Sequence, residues 1–289
     1  GVLAESSNGC GLGNSLEEAA LYGLLELIER DAFLIAWWAR APLPRIAFPL
    51  DDPFLAMLRA RLDSLGYEPL LLDATTDLGV PVVATVALHR DPTSQAPQAF
   101  VAAGAHPRQR DAIRSALLEL VVNVEHAPGL SRAGTGAFDR SRLRDLLRDP
   151  ARIETIDDHV GVNALPEARG RFDALLSGPP PGAGAGPERD EELLAQAADI
   201  AVVLDCLRQR AQQAGVDTIV VDQTPERVRR ELGLYAARVV APGLLSLTFG
   251  HLYRRTRGLA RLLHVPVQLG HLAAAPAYEL LPFDPHPFP

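Results

Sequence analysis

An α+β (mixed α/β) fold is predicted by three observations. Helix-length and strand-length apolar segments alternate along the chain, most plainly from residue 188 onward. Nearly half of the 289 residues are apolar, enough for one large domain or two modest ones. No internal repeat is visible, and no apolar run reaches the roughly 18 residues that a membrane span needs.

The elements follow in order. Residues 8–13, Asn-Gly-Cys-Gly-Leu-Gly, read as a glycine-rich turn feeding a helix whose first amides are available to an anion; the spacing is not G-x-G-x-x-G. That helix spans 14–39 and stops before Pro42 and Pro44. A shorter helix covers 52–65 and ends at Gly66; strands follow at 70–73, 81–89 and 98–103. A second apolar-faced helix, 110–124, is closed by Pro128-Gly129. Residues 131–152 read as a solvated segment with a short helix, and the Pro/Gly-rich stretch 177–187 as a flexible surface loop. Then come a long helix at 188–215, a buried strand at 216–222, a short helix at 225–232 and a strand at 235–240. The tail, 282–289, carries alternating prolines that enforce a stiff, polyproline-like strand. Ordinary termini fray, so a stiff one is best explained if its end is delivered somewhere.

The helix at 14–39 carries the chemistry. At about 100° per residue, Glu18 and Glu29 fall about 20° apart around the axis, with Glu26 on the adjoining edge. Leu21, Leu24, Leu25, Leu27 and Ile28 occupy much of the remaining surface. Carboxylates on so apolar a helix require compensation, by a metal ion, by Arg30 or by both. Ser15-x-x-Glu18 also fits a capping box, and Glu26 and Arg30 an i, i+4 ion pair.

Composition narrows the choices. All 28 basic residues are arginine. A Walker P-loop, a kinase-type phosphate lysine and a pyridoxal Schiff base each need lysine and are excluded. Phosphate handled by this chain must meet arginine, backbone amides or a carboxylate-bound metal; Arg114 is a reasonable contact. A net charge of −8 argues against a nucleic-acid surface. Cys10 and Cys206 have no metal or redox spacing, and no signal-peptide pattern opens the sequence, as expected for a cytoplasmic protein. The histidines lack H-x-x-x-H spacing, so no zinc site is expected and they read as satisfied surface or core groups. No G-x-S-x-G elbow marks a nucleophile.

Several segments together resemble the YcaO family, most closely its azoline-forming cyclodehydratases. They are Ser7-Asn8-Gly9 with 13–19, Leu24 to Ala32, Gly104-Ala105-His106-Pro107, Val221 to Thr224, Arg238 to Leu244, Phe249-Gly250-His251 and the terminal Pro-His-Pro-Phe-Pro. The resemblance implies a YcaO-type domain with sheets packed against helices, residues 1–289 forming its C-terminal portion. It implies ATP and Mg2+ as cofactors, with Glu26 and Glu29 as metal ligands and Asn14, Glu18 and Arg30 at nucleotide positions. It also implies that ATP phosphorylates a peptide amide oxygen, that a neighbouring Cys, Ser or Thr attacks that carbonyl, and that loss of phosphate leaves an azoline. Pro285 and Pro287 would then carry the carboxylate of Pro289 to the active site, where it orients or deprotonates the attacking side chain.

The implied partners are a ribosomal precursor peptide, a leader-binding protein or domain resembling ubiquitin-activating enzymes, and a second copy in a dimer; no membrane is expected. The family's first glutamate pair has no counterpart here, so weak Mg-ATP binding and no cyclisation are expected of this chain by itself. A thioamide- or amidine-forming enzyme of the same fold and a non-catalytic scaffold are the alternatives; the terminal proline strand argues against the first.

Overall fold

A computed structural model describes residues 7–132, 139–182 and 199–288. The elements are β1 (Cys10–Gly13), α1 (Leu16–Ala39), α2 (Pro53–Ser64), β2 (Tyr67–Asp73), β3 (Val82–His89), β4 (Ala99–Ala105), α3 (Gln109–Arg132), α4 (Arg140–Arg148), α5 (Ile156–Asn163), α6 (Asp173–Leu176), α7 (Ile200–Gln213), β5 (Ile219–Asp222), α8 (Glu226–Leu232), β6 (Tyr235–Val240) and α9 (Arg261–Gln268), joined by short 3-10 turns. The α+β class predicted from sequence holds.

Two antiparallel three-stranded sheets enclose α1. One has the order β1-β6-β5, with Cys10 opposite Arg238 and Ile219 opposite Val240. The other is the meander β2-β3-β4, with Tyr67 opposite His89 and Val82 opposite Ala105. Because side chains alternate along a strand, β3 serves two cores. Val82, Ala84 and Val86 join α1, whereas Val83 and Ala87 join α2 and α3. Helix α1 is therefore central, with Ala237 and Val239 of β6 in the same core and α7 and α9 alongside. A third small core holds Leu143, Leu146, Ile153 and Val162.

Local chemistry accounts for the ends of α1. The Ser15 hydroxyl accepts the Glu18 amide, and Arg40 stops the helix in the left-handed region with its N–H on the Ala36 and Trp37 carbonyls. Strand β1 crosses α1 at backbone distance. A Cβ at Gly11 would stand 2.0 Å from the Ala19 carbonyl, and one at Gly23 would stand 2.4 Å from that of Gly9. Two glycines face each other because nothing larger fits.

Several expectations need correction. Residues 8–13 are largely strand, since Cys10–Gly13 pairs with β6. Strand β2 begins at Tyr67 and β4 runs on to Ala105. Helix α3 continues through Pro128 to Arg132, because an internal proline removes one hydrogen bond without forcing the chain to stop. The segment expected as a buried strand at 216–222 is a strand only over Ile219–Asp222, and it is exposed. Its apolar run reflects β propensity at a sheet edge, not burial. Of the loop expected at 177–187, residues 183–187 lie outside the described residues, as do 188–198 of the helix that follows. Of the tail at 282–289, residues up to Phe288 form an extended, largely buried segment; Pro289 lies outside the described residues.

Candidate functional site

The close crossing of β1 over α1 builds one end of the site. With no side chains in the way, the Gly9 amide reaches Glu26 Oε2 at 2.6 Å. Glu26 Oε1 meets Arg30 Nη2 at 2.5 Å, and Arg30 Nη1 bonds the Asn8 side-chain oxygen. The i, i+4 pair is formed, yet it is no solvated pair: the Arg30 side chain is only 12% exposed. One turn on, Glu29 Oε2 accepts the Ala105 amide at the end of β4 at 3.0 Å.

A third carboxylate, Glu119 of α3, belongs to the same electrostatic field. Burial pushes Glu29 up to about 8, and Glu119 and Glu26 add to the rise while Arg30 opposes it. Burial likewise raises Glu26, against Arg30 and the Gly9 and Cys10 amides, and raises Glu119. Three partly buried carboxylates thus share one guanidinium. Arg30 Nε, itself buried, meets no hydrogen-bond partner among the described residues. The cluster lacks a positive charge and offers an unused N–H donor, a combination that suits a cation carrying an anion. Among the described residues no three His, Cys, Asp or Glu side chains converge closely enough to hold a metal ion by themselves. A cation on Glu26 and Glu29 would complete its shell with water and phosphate oxygens, as Mg2+ commonly does.

Other sequence-stated candidates fall elsewhere. Glu18 stands about 16 Å along the axis from Glu29 and does not join the cluster. Its carboxylate takes the Asn14 amide at 2.5 Å and the Asn14 side-chain nitrogen at 2.9 Å. These bonds hold it below the usual carboxylate range, as in a capping arrangement. Arg114 is exposed on α3 with its guanidinium over the Phe54 ring of α2, 4.7 Å from the centroid. Neither contact brings Asn14, Glu18 or Arg114 against Glu26 or Glu29.

The tail does come to α1. Pro285, His286, Pro287 and Phe288 are buried, and the Phe288 ring packs on Phe33 at 5.1 Å. Phe33 is one turn from Glu29, about 6 Å along the helix axis. Glu119 was missed from sequence; the histidines, read there as surface or core groups, include His159, His251 and His286, which are buried. Glu119 sits on a helix ordinary in its periodicity, and the histidines lie at separations that no local spacing rule captures.

Comparison with known proteins completes the picture. The family model described as YcaO cyclodehydratase, ATP- and Mg2+-binding, matches residues 1–245. A heterocyclase solved in complex with substrate and cofactor matches 99% of this chain and 34% of its own, at TM-score 0.71 and 27% identity. The heterocyclase TruD gives TM-score 0.66 and 25% identity over 99% of this chain and 35% of its own. YcaO from Methanopyrus kandleri, bound with AMPPCP and Mg2+, shares the fold at TM-score 0.57 and 22% identity, over 84% of this chain and 56% of its own. The chain spans about a third of the length of the two heterocyclases. With a family match across most of its residues and a carboxylate cluster that calls for a cation, the chain belongs to the YcaO cyclodehydratase family, whose cofactors are ATP and Mg2+.

Proposed function

We propose that this chain is the nucleotide-handling part of an ATP-dependent cyclodehydratase that turns Cys, Ser or Thr of a ribosomal precursor peptide into azolines in the cytoplasm. The observation that carries this is the delivery of the buried proline tail to α1, one turn from Glu29. Mg-ATP, when bound, supplies the phosphoryl group that makes an amide oxygen a leaving group.

The chain's own residues do the rest. Glu26 and Glu29 hold the metal, which offsets the excess negative charge they share with Glu119. Arg30, whose Nε has no partner among the described residues, donates to a phosphate oxygen. Asn14 and Glu18 line the nucleotide site at the helix start, and Arg114 gives a phosphate contact once it leaves Phe54. Pro285 and Pro287 keep the tail extended, and the carboxylate of Pro289 accepts the proton of the attacking side chain. A leader-binding partner resembling ubiquitin-activating enzymes presents the peptide, and the assembly is a dimer.

The test is mass spectrometry of the precursor peptide incubated with Mg-ATP, the leader-binding partner and the full-length protein containing this chain. Loss of one water per modified residue supports azoline formation. Exchange of oxygen for sulfur replaces the reading with a thioamide-forming enzyme, and an unchanged peptide replaces it with a scaffold.

A further inference from the structure

Proline has no N–H, so a strand alternating proline with other residues can be held mainly through its carbonyl oxygens and its non-proline side chains. In this chain three successive tail carbonyls are met by side-chain donors. The Asp284 oxygen accepts from both indoles, Trp37 Nε1 at 3.2 Å and Trp38 Nε1 at 3.0 Å. The Pro285 oxygen accepts from Asn163 Nδ2 at 2.9 Å. The His286 oxygen lies 3.2 Å from His159 Nδ1; since a carbonyl only accepts, that nitrogen carries the proton. Burial disfavours the charged ring, and Nε2 is buried with no partner among the described residues.

The remaining contacts fix direction and register. The Asp284 carboxylate sits between Arg40 and Arg171, the latter at 3.2 Å, and Arg171 Nη1 also holds the Asn163 side-chain oxygen at 3.1 Å. His286 donates from Nε2 to the Thr248 carbonyl at 3.0 Å and stacks on His159 with ring centroids 3.9 Å apart. Just before this stretch, Phe283 adopts φ 42°, a left-handed turn that a non-glycine residue takes only when its surroundings hold it there. Donors thus come from α1 and α5, elements far apart in sequence, onto one six-residue segment.

We infer that Trp38, His159 and Asn163 are positioning residues: they form a clamp that reads the tail carbonyls and sets where the Phe288 end of the tail lies on α1 relative to Glu29. The role as a catalytic aid rests on the cyclodehydratase reading; the clamp itself does not. The clamp acts through its contacts with the tail.

The test uses the full-length protein with its partner, precursor peptide and Mg-ATP, carrying 4-fluorophenylalanine at position 288. His159→Leu and Asn163→Leu remove a donor, whereas His159→Asn keeps an N–H near the Nδ1 position. Thermal melting confirms that each variant is folded. The expected result is a 19F resonance that moves to the solvent-exposed position in both leucine variants. Their kcat for azoline formation falls about ten- to a hundredfold while KM for ATP is unchanged, and His159→Asn behaves as wild type. A 19F resonance unmoved in the leucine variants overturns the clamp, as does a His159→Asn variant as impaired as His159→Leu. A tail that is released with no change in kcat overturns its positioning role. If the wild type forms no azoline, the cyclodehydratase reading fails, and the 19F comparison alone decides whether the clamp exists.

Discussion

Glu29 and Asp31 are two residues apart on one helix, both carboxylates, and they live in opposite circumstances. Asp31 is fully buried and fully answered. It accepts the Leu245 amide at 2.8 Å and Arg261 at 2.8 and 3.2 Å, and Arg261 is shared with Asp77 through two further bonds of 2.8 Å. Glu29 has one backbone amide and a distant share of Arg30, against the charges of Glu26 and Glu119. The first arrangement ties α1 to α9 and stabilises the fold; the second leaves a deficit for a bound cation to fill. Burial alone therefore says little about role, and the balance of charge around each group says a great deal.

The sharpest way to break this comparison is to remove Arg261. Arg261→Met strands two carboxylates, one wholly buried, and should cost about 3–5 kcal/mol of unfolding free energy in urea denaturation. A loss below about 1 kcal/mol would mean that Asp31 is no better answered than Glu29.

Titration separates the two regions next. Burial holds His159 down to about 2, and His251 and His286 to about 4, against 6.5 in the unfolded chain. The unfolded state binds more protons in that window, so these groups contribute stability above pH 6.5 and lose it as pH falls towards 4. Glu29 has the opposite sign. Its folded value near 8 exceeds 4.5, so stability falls as pH rises from 4.5 to 8, by up to about 1.4 kcal/mol per pH unit. In EDTA, stability measured against pH should pass through a maximum near 6.5. Saturating Mg-ATP should flatten the alkaline limb and leave the acid limb unchanged. An alkaline limb indifferent to Mg-ATP would separate Glu29 from the metal.

A substitution probes the same deficit more gently. Glu29→Gln should weaken Mg-ATP binding by about tenfold or more, equivalent to about 1.4 kcal/mol, in calorimetry on the full-length protein. The same variant should melt no lower than wild type in EDTA, since it relieves a buried like-charge contact. The smallest effect belongs to the helix start: Ser15→Ala removes the acceptor of the Glu18 amide and should cost about 1 kcal/mol, with Mg-ATP affinity unchanged.

Much of the fold was legible locally. The limits of α1, α2 and β3 follow from a serine cap, an aspartate cap and prolines, signals that act within a few residues. The edge strand β5 misled because Ile219, Val220 and Val221 report a preference for extended backbone, while exposure depends on whether another layer covers them. The site was half legible. Glu26, Glu29 and Arg30 stand in one helix pattern, so their kinship is local. Glu119 enters from α3, and Glu18, which shares their helical angle, is separated along the axis and engaged with Asn14.

By itself the sequence determined the elements, the carboxylate-bearing helix, the exclusion of lysine-dependent phosphate chemistry and the stiffness of the tail. All of these are properties of neighbours along the chain. Only the tertiary structure decided which carboxylates are answered, and which donors grip the tail. Charge balance and hydrogen-bond satisfaction are settled by what packs against a group, and Arg261, Glu119, His159 and Asn163 arrive there from elements far away in sequence.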